Sequence, residues 1–542
     1  MKIRLLALLL FFSCTCWASV NFEDLSFEDK LGQTLVVFVD IDSAEQVRPA
    51  IESGKVGGVL IQWGNYSLDQ TKSLIDKLQS WAANSPHKIP LLIAIDYEGG
   101  TVYTPITLGF DYLPTNMMLT ASQDETGAAS IAYLAGLELR RAGVHMNFSP
   151  VLDVNSNPNN PIIGVRSFGS DPSNVIKMGL SLINGFKASG IISVVKHFPG
   201  HGDTSKDSHY DVPVVRETYD RLKKIHLAPF QAAINQEVDG IMTGHILYPA
   251  LDKNNVATFS KPILQDLLRE QMGFKGLIVT DSLDMKSATS FCTISGCTVK
   301  ALDSGADLIL LGRYVKPVKI FNEASVQIRQ KKLEARMEQA SRKIFDMKKR
   351  LGLLSGKRVI PEPIEQAYRA ELEKIGANSV TLVRDRKKML PFTPPSSKKP
   401  TVCAVFFAPS RFADQLMNFS KPFLQKGWNV RTYNAALTPR QKDSRRAASC
   451  AKGADLLVLT SLQWADKTNI NQKNAIHGLI KENKNVIFIS TMSPYDMKNY
   501  PEADTMLATY GINKYVLESA ADIILGNIPA KGKLPVELEL EK

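Results

Sequence analysis

The sequence predicts an α/β protein of two parts, an N-terminal (β/α)8 TIM-like barrel followed by a C-terminal α/β sandwich domain. Three observations carry that expectation. Eight short apolar runs rich in β-branched residues recur up to Leu311, helix-length stretches separate them, and a new series of runs begins after Arg350 behind a proline-containing connection. Parallel strands need crossovers of a dozen or more residues, usually helical, so the alternation argues for a parallel sheet. Eight such units over about 280 residues have the size of a closed barrel.

At 542 residues the chain is too long for a single core. Hydrophobic residues at 44% and charged residues at 22% describe a soluble globular protein. The N-terminus differs, because Lys2 and Arg4 precede an apolar run from Leu5 to Phe12, and Ala18 and Ser19 supply small residues near a cleavage point. Residues 1–18 therefore read as a secretory signal, too short for a stable membrane span, with the protein exported to the periplasm or the exterior. An uncleaved anchor is the alternative; lipid attachment is disfavoured at Cys14 by the bulky Phe11 and Phe12 before it and at Cys16 by the preceding Thr15. Losing Lys2 and Arg4 with the signal takes the net charge from +11 to +9, which suits polyanionic surroundings such as a bacterial envelope without implying nucleic acid.

The barrel is expected over residues 19–355. Its strands are read at Thr34 to Val39, Val56 to Ile61, Pro90 to Ile95, Val144 to Phe148, Ile191 to Val195, Gly240 to Thr243, Leu277 to Thr280 and Leu308 to Leu311. Leu68 to Ala83 and Glu125 to Ala142 are typical of the helices between them. From Arg329 to Arg350 nine basic residues face three acidic ones, while Val326, Leu333, Met337, Ala340, Ile344, Met347 and Leu351 recur at helical spacing. That pattern is the solvated face of an amphipathic helix ending at Gly352. A linker at 356–377, containing Pro361 and Pro363, leads to a second domain at 378–542. There, strands are read at Ser379 to Val383, Val402 to Phe407, Asp455 to Thr460, Val486 to Ser490 and Thr505 to Thr509, and helices at Arg440 to Lys452 and Lys514 to Leu525. Gly532 to Val536 reads as a closing edge strand. Four cysteines remain after processing; Cys292 and Cys297 are close enough for a local bridge and Cys403 with Cys450 completes an even set, but sequence leaves all three pairings open.

Barrel enzymes place their chemistry at the C-terminal ends of strands. Asp96 follows the third run, Asp153 the fourth, Lys196 and His197 the fifth, His245 the sixth and Asp281 the seventh. The stretch from Lys196 to Pro213, KHFPGHGDTSKDSHYDVP, holds three histidines and three aspartates in a Gly-hinged loop. Within it Asp207 and His209 form an Asp-x-His pair, in which a carboxylate can fix the tautomer and raise the basicity of an imidazole.

These residues carry a family resemblance. The segments IDYEGG (95–100), NFSPVLDV (147–154), IGVRSFGSDP (163–172), KHFPGHGDTSKDSH (196–209), MTGHILYP (242–249), ATFS (257–260) and VTDSLDM (279–285) resemble glycoside hydrolase family 3, in its β-N-acetylglucosaminidase branch. SPYDM (493–497) and GKLPV (532–536) resemble the family's second domain. The resemblance implies a retaining hydrolase acting on a β-linked N-acetylglucosamine, with Asp281 as nucleophile, His209 as acid and then base, and Asp207 orienting it. It implies that Asp96, Arg166, Lys196 and His197 hold the sugar and that His245 supports the site; no metal or organic cofactor is implied. One departure stands out. Where the family usually has arginines, this chain has Thr101 and Thr104, which cannot replace forked, charge-assisted hydrogen bonds to a sugar.

Other readings remain. Five of the eight histidines fall between His197 and His245, which raises a metallohydrolase, although the first run ends in FVDID without a histidine ligand. A catalytically silent sugar binder would share the fold but would give Asp207, His209 and Asp281 no reason to coexist. Another β-glycosidase, or a phosphorylase using phosphate in place of water, would share the scaffold.

Overall fold

A computed structural model describes residues 20–62, 66–100, 113–355, 362, 365–394, 399–463 and 469–540. The leader-like stretch 1–18 and the threonines at 101 and 104 lie outside them.

The barrel strands are β1 (Leu35–Val39), β2 (Gly58–Ile61), β3 (Leu92–Ile95), β4 (Met146–Asn147), β5 (Ile192–Phe198), β6 (Gly240–Thr243), β9 (Leu277–Thr280) and β10 (Ile309–Leu310). They form one parallel sheet in the order β10-β1-β2-β3-β4-β5-β6-β9, and a bridge between Val279 and Leu308 closes the ring. A hairpin, β7 (Leu247–Tyr248) and β8 (Asp252–Val256), projects from the loop after β6. Period-two alternation explains the interior: Val36, Leu60, Leu92, Ala94, Met146, Ile192, Val194, Met242, Val279 and Leu310 pack together inside the ring. One strand extends further than expected, because Lys196 and His197 belong to β5 and Lys196 bridges to Val151 beside it.

The N-terminal mouth of the barrel is closed by helix Glu334–Arg350, whose Ile344 and Met347 join the interior cluster. Its Lys348 is fully buried, and Nζ donates to Gln33 Oε1 at 2.7 Å, Gly57 O at 2.8 Å and Pro90 O at 2.7 Å. Burial pushes this ammonium down to about 7. The long basic helix expected here is two helices, since Pro317–Gln330 stops before Glu334–Arg350 starts, and Val326, read as part of its apolar stripe, is exposed. A turn with Lys332 at φ 57° breaks the axis between them.

The second domain is a six-stranded sheet of β11 (Thr381–Asp385), β12 (Thr401–Phe407), β13 (Asn429–Ala435), β14 (Leu456–Ser461), β15 (Val486–Ser490) and β16 (Thr505–Ala508). Its order is β11-β16-β15-β14-β12-β13, parallel except where β11 runs antiparallel to β16. The sequence reading missed β13, a mostly half-buried edge strand that lacks an apolar run. Two further differences concern the connections. Helix Glu365–Ser379 occupies much of the expected linker and packs on helices Asn116–Ser122 and Glu125–Ala142 of the barrel through buried Tyr368, Leu372 and Ile375. Gly532–Val536 is not a strand: Gly532 N–H donates to Val380 O, Lys533 N–H to Ala121 O, and Pro535 O accepts from Ser170 N–H. Its partners come from both domains, so it straps them together instead of extending a sheet. The cysteines pair as Cys292–Cys297 and Cys403–Cys450.

Candidate active site

Asp96 and Glu98 lie two residues apart on extended chain leaving β3, and both bond the ammonium of Lys196 from β5. Lys196 Nζ stands 2.7 Å from Asp96 Oδ1 and 2.6 Å from Glu98 Oε1. Arg166, in the turn Gly164–Arg166, clamps the other side of Glu98 with Nε at 2.7 Å and Nη2 at 2.9 Å. Burial acts to raise the Glu98 carboxyl, but the two cations outweigh it and hold it at about 2. Lys196 likewise loses from burial and gains more from Asp96 and Glu98, so its ammonium is held above the ordinary lysine value. Asp96 is the one half-buried member of this network; Glu98, Lys196 and Arg166 are buried.

His197, beside Lys196 on β5, donates from Nδ1 to Asp153 Oδ2 at 2.7 Å, and the other oxygen of Asp153 accepts from His197 N–H and His201 N–H. Burial opposes ionisation of Asp153, yet His197 and His201 keep its carboxyl at about 2. His201 pins the loop that follows. Its ring is buried and lies 2.8 Å from Thr204 Oγ1 and 3.1 Å from Ser208 Oγ. Burial, and then the charge of His197, pushes His201 down to about 4, so it is neutral near pH 7 and serves as a hydrogen-bonding post.

Ser208 sits between the members of the expected dyad. His209 Nδ1 is 2.8 Å from Asp207 Oδ1, which also accepts from the His209 N–H at 2.9 Å. The His209 side chain is 42% exposed, leaving Nε2 as the nitrogen turned to other work. The Asp207 hydrogen bond raises the imidazole above its ordinary value against the effect of burial, and the charge of Asp281 raises it further. Asp207 itself is held low, because its bonds to His209 outweigh burial.

Asp281 follows β9 and is half-buried, with Oδ1 accepting from Ser282 N–H at 2.7 Å. Burial would raise this carboxyl; His197, His245, the Ser282 N–H and His209 together leave it below the ordinary aspartate value. It is therefore ionised at neutral pH, while its neighbour Asp284 is spent structurally on Ser282 Oγ at 2.6 Å and on Arg313 N–H at 2.7 Å.

The structure thus brings Asp96, Lys196, His197, Arg166, Asp207, His209, His245 and Asp281 to the C-terminal rim of one barrel. His245 is committed to the protein itself. Its ring is buried, Nε2 donates to Ser282 O at 3.0 Å and Nδ1 meets Thr258 Oγ1 at 2.8 Å, so both nitrogens go to protein and the ring braces the Asp281 loop. Arg166 is likewise committed to Glu98, which makes it a support for the Lys196 network as much as a ligand. Sequence reasoning assigned no role to Glu98, His201 or Thr258, and placed Asp153 on the rim without one. The signal for Glu98 was present in its i, i+2 spacing from Asp96, which puts both carboxylates on one face of extended chain.

The clustered histidines are divided among separate partners, and among the described residues no group of three or more His, Cys, Asp or Glu is placed to hold a metal ion. Among the same residues no helix is long and apolar enough to cross a membrane.

Comparison with known proteins bears on the same rim. The N-terminal domain of glycosyl hydrolase family 3 matches residues 26–347. Beta-hexosaminidase A of Pseudoalteromonas piscicida is 30% identical over 89% of this chain and 88% of its own length. The beta-N-acetylglucosaminidase/beta-glucosidase of Cellulomonas fimi is 26% identical over 96% and 95% respectively. Among solved structures, a glycoside hydrolase family 3 beta-N-acetylglucosaminidase from Paenibacillus sp. str. FPU-7 superposes with a TM-score of 0.86 at 29% identity, covering 96% of this chain and 100% of that one. The family match runs through every strand of the barrel, and the likeness to two whole relatives and a solved structure carries on through the second sheet: this chain belongs to glycosyl hydrolase family 3 and is a glycoside hydrolase.

Proposed function

We propose that the chain is a retaining, exo-acting β-N-acetylglucosaminidase that releases terminal N-acetyl-β-hexosamine from peptidoglycan fragments or chitooligosaccharides. The leader-like residues 1–18 support export to the periplasm or beyond. In the first step the Asp281 carboxylate attacks the anomeric carbon while His209 Nε2–H protonates the departing oxygen, giving a covalent glycosyl-enzyme and free aglycone. In the second, neutral His209 takes a proton from water, whose oxygen displaces Asp281 from the sugar with net retention. Retaining glycosidases usually employ a second carboxyl about 5 Å from the nucleophile. An imidazole does the same work, and after giving up its proton it adds no second negative charge beside Asp281. Asp96, Lys196 and His197 are the side chains that would take the sugar hydroxyls.

One observation carries this reading. The rim joins an ionised, half-buried Asp281 to a solvent-facing imidazole that Asp207 holds by Nδ1 and that the charge of Asp281 itself helps keep protonated. A 5-fluoro N-acetylglucosaminyl donor with a good leaving group, which keeps the 2-acetamido group, should label Asp281, and Asp281→Ala should abolish turnover in a protein that still folds. A label on Asp284 or Glu98 would reject the mechanism, as would full activity in Asp281→Ala. Failure of the wild-type protein to cleave an aryl N-acetyl-β-glucosaminide while it cleaves the β-glucoside would reject the sugar.

A further inference from the structure

The two most exposed large apolar side chains among the described residues are tyrosines, Tyr314 at 85% and Tyr210 at 81%, and both stand on loops leaving the C-terminal ends of barrel strands. Tyr210 is the more telling. It follows His209 directly, its N–H donates to Asp207 O at 3.1 Å, and its ring lies 6.5 Å from the imidazole, tilted by 52°. The turn that fixes the dyad therefore fixes Tyr210 as well. Its ring belongs to no core cluster, so packing gives no reason for an aromatic there. A single exposed aromatic is ordinary by itself; what singles out Tyr210 is its fixed place beside the His209 imidazole.

The place of that ligand follows from the chemistry. A proton donor must reach the glycosidic oxygen, which is the boundary between the sugar being released and the group it leaves. With Nδ1 committed to Asp207, His209 meets that oxygen through Nε2. An aromatic ring one residue on and one sugar-width away lies beside the leaving group, and a pyranose offers such a ring the flat apolar face formed by its axial C–H bonds. Tyrosine makes this contact at low conformational cost, having only two side-chain torsions to fix.

We propose that Tyr210 is the stacking platform of a leaving-group subsite, one that selects substrates whose aglycone is itself a pyranose. The proposal rests on the reading of His209 as the proton donor and extends it to substrate class.

The test compares N,N′-diacetylchitobiose, whose leaving group is a sugar ring, with methyl N-acetyl-β-glucosaminide, which has no ring to stack. Tyr210→Ala should lower kcat/KM on chitobiose about tenfold, equivalent to about 1.4 kcal/mol, mainly through KM, and change the methyl glycoside less than about twofold. Tyr210→Phe should keep near wild-type values on both. Equal losses on the two substrates would overturn the subsite and make Tyr210 a support for His209, and no loss on chitobiose would overturn it outright. Wild-type protein that cleaves neither substrate would overturn the parent reading and the subsite together, whereas wild-type cleavage without the differential would overturn the subsite alone.

Discussion

At the scale of single residues, the chemistry turns on how neighbours divide protonation between His209 and Asp281. His209 must be protonated to release an alcohol, and Asp207 and Asp281 raise its affinity for that proton above the ordinary value of 6.5. Asp281 must be ionised, and its surroundings lower its carboxyl below the ordinary 3.8. A plot of kcat/KM against pH should therefore fall on the basic side only above pH 6.5 and on the acidic side only below the ordinary aspartate range. Asp207→Asn should move the basic limb downward, because a neutral amide no longer favours the imidazolium. A basic limb that does not move would show that Asp207 only shapes the loop. His209→Ala should cost on the order of 10²-fold or more with a sugar leaving group. With a nitrophenolate leaving group the first step should survive, giving a burst of phenol and then slow turnover, since no base activates water. Equal losses with both leaving groups and no burst would assign the proton to another residue.

Among elements, the turn Pro494–Asn499 after β15 shows how a buried polar group can be carried away from the catalytic rim. Asp496 is buried there, with Ser461 Oγ donating to one carboxylate oxygen and no partner for the other among the described residues. Burial lifts its carboxyl from 3.8 to about 7, against the opposing hydrogen bond of Ser461. The folded protein thus holds a proton that the unfolded chain has already released. Stability from this group is full below pH 3.8, falls as pH rises through the window up to about 7, and stays low above it. Asp496→Asn has no proton to lose, so its Tm relative to wild type should be higher at pH 8 than at pH 5. The same difference at both values would mean that Asp496 keeps its charge in the fold. This turn also reaches the barrel: Asn155 Nδ2 donates to Tyr495 Oη at 3.4 Å, next to the β4 loop on which the His201 segment rests.

At the scale of the whole molecule, the second domain is built into the barrel rim. Tyr97 and Tyr368 share a hydrogen bond of 2.9 Å, Thr115 Oγ1 donates to Tyr510 O at 2.9 Å, and Ser170 N–H donates to Pro535 O at 3.2 Å. The last contact lies four residues past Arg166, the end of its turn. Gly169 makes the close approach there, at φ +137°, and a Cβ on it would stand 2.2 Å from Pro535 O. Gly169→Ala should therefore cost on the order of 2 kcal/mol or more, read as a lower Tm, and should also reduce kcat/KM as the Arg166 turn shifts. Unchanged melting would mean that the strap yields without holding the domains. Activity that survives the loss of stability would separate the strap from the Arg166 turn.

Much of this fold was legible because its signals are local. Eight buried parallel strands leave eight apolar runs, and helices such as Glu125–Ala142 show their period and caps in the chain itself. The polar residues that follow each strand locate the catalytic rim for the same reason. What is not local stayed hidden. The edge strand β13 is half-buried through mixed polar and apolar residues and has no apolar run to mark it, and the Gly532–Val536 strap takes its partners from residues far apart in sequence. The division of labour within the site was hidden too, since His245 and His209 are both imidazoles on strand-end loops. Only packing spends both nitrogens of one on Thr258 and Ser282 and leaves Nε2 of the other toward solvent. Sequence by itself determined which residues arrive at the rim, because strand order and loop position are encoded along the chain. Tertiary structure alone decided which of them remain available for a substrate, because that depends on hydrogen bonds closed between segments that never meet in the sequence.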